Sequence, residues 1–175
     1  MNIANQLTIL RIALVPVFMY YLLAGQMNIA AGIFILASLT DFLDGYLARK
    51  LNLITNLGKF MDPLADKILV MAAFVGLVQV GSVSAWAVVI ILAREFIVSI
   101  FRAVAAAEGI VIAASWWGKL KTNSQMLAIV LLLFNNAPFE SMNIPVAQIV
   151  LWIAVALTII SGLDYILKNK QVLKA

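Results

Sequence analysis

Six long apolar stretches alternate with short polar connections along this chain, at about 7–24, 30–47, 63–80, 85–107, 119–134 and 146–167. Each approaches the roughly 20 mostly apolar residues that a helix needs to cross a bilayer. The connections carry residues that break helices: Gly25, Gly81, Gly109 and the run Asn135-Asn136-Ala137-Pro138. Only the stretch from Lys50 to Lys59 is longer and more polar. No fixed-period repeat, linker or low-complexity tract divides the chain, so residues 1–175 read as one domain. The expected fold is an all-α integral membrane protein, with six transmembrane helices around a cavity that faces the cytoplasm.

The basic residues set the expected orientation. Arg49, Lys50, Lys59 and Lys67 surround the second connection, Lys119 and Lys121 the fourth, and Lys168, Lys170 and Lys174 the C-terminus. The first, third and fifth connections carry no Lys or Arg. With six crossings every basic cluster falls on one side, which the positive-inside rule makes cytoplasmic, together with both termini. Trp86, Trp116 and Trp117 fall near helix ends, where interfacial aromatics sit. The first apolar run lacks a basic leader and a small-x-small cleavage site, so it reads as a retained helix. The stretch from Asn2 is expected to form an N-terminal interfacial segment.

Composition narrows the chemistry. The chain is 65% hydrophobic and 11% charged, whereas a soluble domain is nearer half apolar and a quarter charged. Its net charge of +4 is explained by membrane topology, so no nucleic-acid partner is expected. There is no Cys and no His, which removes thiolate and imidazole ligands, cysteine nucleophiles and the commonest general base. Carboxylates, Lys, Arg, hydroxyls and metal ions are left.

Four aspartates stand out. Asp41, Asp44, Gly45 and Ala48 are spaced i, i+3, i+4 and i+7, so one helical face carries two carboxylates and two very small residues. Asp62 and Asp66 share a face of the next helix. An Asp deep in a spanning helix costs roughly 2.5–3.5 kcal/mol, less near the interface. Four carboxylates at the cytoplasmic end of two antiparallel neighbours form a site for hard ions, Mg²⁺ or Mn²⁺ before Zn²⁺. A bridged pair of such ions, about 3.5–4 Å apart, suits phosphoryl chemistry. The plainer alternative is that each Asp caps or ends a helix, as Asp62 before Pro63 would at a helix start.

The string from Asp41 to Asp66 resembles the signature of the CDP-alcohol phosphotransferase family, Asp-x2-Asp-Gly-x2-Ala-Arg-x8-Gly-x3-Asp-x3-Asp. Asp41, Asp44, Gly45, Ala48, Arg49, Gly58, Asp62 and Asp66 meet all of its fixed positions. At residue frequencies of about 5–10%, such a match arises by chance on the order of once in 10⁹ start sites. The resemblance implies two divalent ions, Mg²⁺ or Mn²⁺, held against the pyrophosphate of a CDP-linked alcohol. It makes Asp41, Asp44, Asp62 and Asp66 metal ligands, with Asp66 also the catalytic base. It gives Asp44, Gly45, Ala48, Arg49 and Gly58 to the nucleotide, and implies attack at the β-phosphorus with release of CMP.

Outside that string, Asn5-Gln6-Leu7-Thr8-Ile9-Leu10-Arg11 is similar to the opening of family members that make phosphatidylglycerophosphate in bacteria, with Ala4 where they have Pro. Asn5 and Thr8 would join the nucleotide site. Arg94-Glu95, Gly118 to Thr122 with Gln125, and Ser161-Gly162 with Tyr165 are similar as well. The implied substrates are CDP-diacylglycerol and glycerol 3-phosphate.

Charge supply points the same way. Arg94 lies 13 residues before Ala107, about 20 Å at the helical rise, too deep to snorkel comfortably. Such an arginine faces a cavity or a partner, for which Glu95 or an Asp of the cluster is a candidate. With Arg102, Lys119, Lys121 and Thr122 it could bind a dianionic phosphate. An intramembrane ion pair for Arg94 and ordinary topology for the lysines are the alternatives. Asp164 is expected to pair locally with Lys168. The same chemistry on inositol phosphate, inositol or serine stays open, as does a divalent-cation channel or carrier with an acidic ring. Ala- and Gly-rich helix faces permit packing into a homodimer.

Overall fold

In a computed structural model of the chain, the backbone is described for residues 3–50, 56–110, 112, 115–137, 139 and 142–170. Side chains are described within these from Gln6 to Thr40, at Leu64 and Ala65, and from Lys67 onward. Six helices follow one another: α1 (Ile3–Leu23), α2 (Met27–Lys50), α3 (Asn56–Gln79), α4 (Ala85–Ala107), α5 (Trp116–Leu133) and α6 (Val146–Lys168). Among the described residues there is no strand. All six expected helices are present, and α4 begins and ends where the apolar pattern places it.

Helices are the natural solution for an apolar chain, because every interior backbone polar group is satisfied within the segment. They stop where the backbone must turn: Gly25, Gly81 and Gly109 have φ of 74–77°, and Asn135 and Asn136 have φ of 51° and 60°. Asn136 also ties its turn to the next helix. Its amide donates to the Ile144 carbonyl at 2.8 Å, and its side-chain oxygen accepts from the Ala147 N–H at 2.9 Å.

The helices α3 and α5 begin before the apolar runs that predict them. The helix α3 starts at Asn56 and not near Asp62, so the second half of the polar stretch from Lys50 to Lys59 is helical. Leu57, Phe60, Met61 and Leu64 recur at i, i+3, i+4 and i+7, a helical period that a search for unbroken apolar runs overlooks. Asp62 is therefore interior to α3, which removes its reading as an N-cap, and Gly58 lies in the first turn of the same helix. Likewise α5 starts at Trp116, capped by Ser115, whose Oγ accepts the Gly118 N–H at 3.1 Å. At the other end of the chain, Ile3 to Gln6 continue α1, so no interfacial stretch separate from that helix is seen from Ile3 onward.

The helix α1 packs on α2 and α3, α6 packs on α5 and α4, and contacts of α2 with α5 and of α3 with α4 and α5 close the bundle. Phe18 and Phe34 meet with ring centroids 5.9 Å apart, beside the buried Leu22, Phe74 and Leu77. Small buried residues (Ala30, Ala31, Ala73, Ala128 and Ala147) allow the helices to approach closely. The outer faces are also apolar: Tyr20, Leu36, Val89, Ile100, Leu127 and Trp152 are all more than half exposed. Such a continuous apolar exterior suits a lipid surround. Two helices, α1 over Gln6–Leu23 and α6 over Val146–Lys168, are long and apolar enough to cross a membrane. Apolar stretches of α2 and α3 (Met27–Thr40 and Lys67–Gln79) are shorter, and α4 is interrupted by Arg94, Glu95 and Arg102.

Candidate active site

The antiparallel bundle has two ends. One carries the C-terminal ends of α2, α4 and α6 and the N-terminal ends of α3 and α5, and the candidate site residues collect there. The register of α2 places Asp41, Asp44, Gly45 and Ala48 along one face of its last three turns. In α3, Gly58, Asp62 and Asp66 follow at i, i+4 and i+8 in its first three turns. The two helices contact each other and are joined by five residues. The side chains of these residues and of Asn5 and Arg49, expected to hold the metal ions and the nucleotide, lie outside the described residues. Among the described side chains no group of three or more acidic, His or Cys residues could hold a metal. A donor set of four aspartates without His or Cys fits a hard divalent ion by its chemistry. Thr8 is described: it is fully buried on α1 beside the equally buried Arg11 and lines no described cavity.

At the same end, a cavity of about 680 Å³ opens between α3, α4, α5 and α6. Arg94, Arg102, Lys119, Lys121 and Thr122, the five residues expected to meet a phosphate, all line it. Lys67 from α3 joins them, so among the described residues five cationic side chains surround the space against one carboxylate, Glu95. Ser115, Gly118 and Lys119 bring the N-terminal turn of α5 to the wall, where the positive end of the helix dipole favours anions.

Four of the five cations are held by a neighbour among the described residues. The Arg94 Nη1 donates to Glu95 Oε1 at 3.1 Å, and the Lys121 ammonium, 4% exposed, donates to the same oxygen. Lys67 donates to the Ser99 hydroxyl, which in turn donates to the Glu95 carbonyl at 2.6 Å. Arg102 lies over the Tyr165 ring, 5.5 Å from its centroid, and its Nε donates to the Tyr165 hydroxyl at 3.2 Å. Tyr165 is held edge-on by Phe101 at 5.9 Å. The side chain of Arg94 is 13% exposed, and its Nε is buried with no hydrogen-bond partner among the described residues. A buried guanidinium donor without an acceptor is costly, and an anionic ligand would satisfy it.

Gly162 makes room for this arginine, and Gly118 lies beside it. A Cβ at Gly162 would stand 3.1 Å from Arg94 Cγ, and one at Gly118 would stand 3.8 Å from Arg94 Nη2. Lys67, Ser99 and Ser115 were not singled out from the sequence as site residues. Lys67 reads there as an interfacial charge, and only its position on α3 facing Ser99 of α4 brings it to the cavity. The local pair of Asp164 with Lys168 is present at 2.8 Å.

Residues 1–160 match the CDP-alcohol phosphatidyltransferase family. This chain belongs to it. A Bacillus subtilis (strain 168) protein named CDP-diacylglycerol–glycerol-3-phosphate 3-phosphatidyltransferase is 47% identical over 188 aligned residues, covering 99% of this chain and 97% of its own length. A Haemophilus influenzae protein of the same name is 42% identical over 94% of this chain and 91% of its own. A Mycobacterium tuberculosis (strain H37Rv) protein named probable phosphatidylglycerophosphate synthase is 41% identical over 94% of this chain and 80% of its own. The chain is thus an enzyme, a CDP-alcohol phosphatidyltransferase, and the reading of its aspartates as a channel ring falls away.

Proposed function

We propose that this phosphatidyltransferase moves the phosphatidyl group of CDP-diacylglycerol onto sn-glycerol 3-phosphate, releasing CMP and forming phosphatidylglycerophosphate. The observation that carries the choice of acceptor is the cavity in which, among the described residues, five cations stand against one carboxylate and the Arg94 Nε is buried without a partner. An uncharged alcohol would leave that surplus unanswered, whereas a phosphate dianion complements it. The relatives' names agree.

Asp41, Asp44, Asp62 and Asp66 would hold two Mg²⁺ or Mn²⁺ ions, which when bound neutralise the pyrophosphate and the departing CMP. Asn5, Thr8, Asp44, Gly45, Ala48, Arg49 and Gly58 would hold the nucleotide end of the lipid substrate, Gly45 and Ala48 by leaving space beside the helix. Arg94, Arg102, Lys119, Lys121 and Thr122 bind the acceptor's phosphate and so orient its free hydroxyl. The Asp66 carboxylate takes the hydroxyl proton as the oxygen attacks the β-phosphorus. The bond from that phosphorus to the bridging oxygen breaks, and CMP carries the electron pair away. With no His or Cys in the chain, a single in-line displacement is simpler than a covalent intermediate. All six helices cross the bilayer in this reading, with both termini and the site on the cytoplasmic side of the cell membrane.

The test supplies purified protein with CDP-diacylglycerol, Mg²⁺ and one alcohol at a time, and follows CMP. Release is expected with glycerol 3-phosphate, abolished by EDTA and restored by Mg²⁺ or Mn²⁺. Release with inositol, inositol phosphate or serine but not glycerol 3-phosphate overturns the assignment.

A further inference from the structure

Glu95 is out of place in a phosphate pocket. Among the described residues lining the cavity it is the single carboxylate, and its charge repels the anion that the cations attract. Its contacts explain it. Residues i and i+1 diverge on a helix, yet the Arg94 guanidinium folds back to reach Glu95 Oε1 at 3.1 Å. The same oxygen accepts from Lys121 on α5, so one atom joins cations from two helices. Through its backbone carbonyl the residue also anchors Ser99, the hydroxyl that receives Lys67. Three of the five cations are thus referred to one residue, and four cations' worth of charge still exceeds it. With Nη1 tied to Glu95 and the stem held against Gly162, the buried Nε of Arg94 keeps a fixed direction without a partner among the described residues.

We infer that Glu95 is the positioning residue of the acceptor site: it never touches the reacting atoms, and it holds Arg94 and Lys121 apart and aimed so that both meet one phosphate. This rests on the cavity being the acceptor-phosphate site. Without the carboxylate the two cations repel each other, and the buried Lys121 loses a charged partner. The loss is specific to the anion, because the CDP-lipid is held by residues of α1, α2 and the start of α3.

The experiment uses full-length Glu95→Gln and Glu95→Asp with two readouts: steady-state kinetics with each substrate varied in turn, and thermal protection by inorganic phosphate. For Glu95→Gln, KM for glycerol 3-phosphate is expected to rise at least tenfold, with KM for CDP-diacylglycerol and kcat within threefold of the parent. Protection by phosphate should need at least tenfold more of it. Glu95→Asp, which keeps the charge, should fall between the two. An unchanged or lowered KM for glycerol 3-phosphate with unchanged phosphate protection overturns the inference, even if the variant is less stable, since a purely structural role moves stability alone. Should Glu95→Gln fail to fold, Glu95→Asp decides, with a KM rise of at least threefold expected and a parental KM overturning it. If the parent turns over only an unphosphorylated alcohol, the acceptor assignment fails separately. Phosphate protection then judges Glu95: present in the parent and lost in Glu95→Gln it upholds the role, and absent in the parent it overturns it.

Discussion

Gly162→Ala separates the stability of this enzyme from its acceptor affinity, because the two should move differently. The added Cβ would sit 3.1 Å from Arg94 Cγ. Ordinary carbon contacts lie at about 3.5–4.0 Å, so the arginine stem must retreat by roughly half an ångström. Cγ is near the root of the side chain, so the guanidinium at its tip swings further, by about 1 Å, a displacement that can cost on the order of 100-fold in a positioned site. A hydrogen bond to a charged group is worth about 1.5–3 kcal/mol, and losing one at the phosphate corresponds to about a 10- to 150-fold weaker acceptor. Stability should hardly change. Alanine in a helix interior gains about 1 kcal/mol over glycine, which offsets the lower end of the roughly 1–3 kcal/mol that overpacking costs. The assay is CMP release with each substrate varied in turn, beside thermal unfolding in the same detergent. Gly32→Ala is the control, since a Cβ there meets nothing within 4 Å. The expected result is a rise of tenfold or more in KM for glycerol 3-phosphate, with KM for CDP-diacylglycerol and the melting midpoint near the parent's. A parental KM for glycerol 3-phosphate, or an equal rise for both substrates, refutes the placement of Arg94 at the acceptor.

Asp66→Asn keeps size and removes the proton acceptor, so turnover should fall at least 1,000-fold, on the order of the loss of a general base with some metal binding. CDP-diacylglycerol should still protect the variant against thermal unfolding; loss of that protection would show a ligand role outweighing the base. Between α5 and α6, the buried Gln125 amide donates to Thr158 Oγ1 at 3.0 Å. Thr158→Val leaves that amide without its acceptor and should cost about 1–3 kcal/mol, while adding Gln125→Leu should recover much of it, read by thermal unfolding. Gly76→Ala drives a Cβ into the Cδ2 of the fully buried Leu22, and should lower the melting midpoint without altering either KM of the folded fraction.

The sequence alone determined the six helices, the aspartate string with its family, and the candidate cations. Each is a local property: apolar runs and glycines act within one turn, and a spaced motif is visible along the chain without folding it. The extent of α3 was legible as well, in the period of Leu57, Phe60, Met61 and Leu64, but an apolar-run criterion ends where charges begin. Only the tertiary structure decided which charges share a cavity. Lys67 and Ser99 are 32 residues apart, Glu95 and Lys121 are 26 apart, and Arg102 and Tyr165 are 63 apart. Those meetings depend on how α3, α4, α5 and α6 are packed. The role of Gly162, likewise, shows only when the stem of Arg94 is found against it.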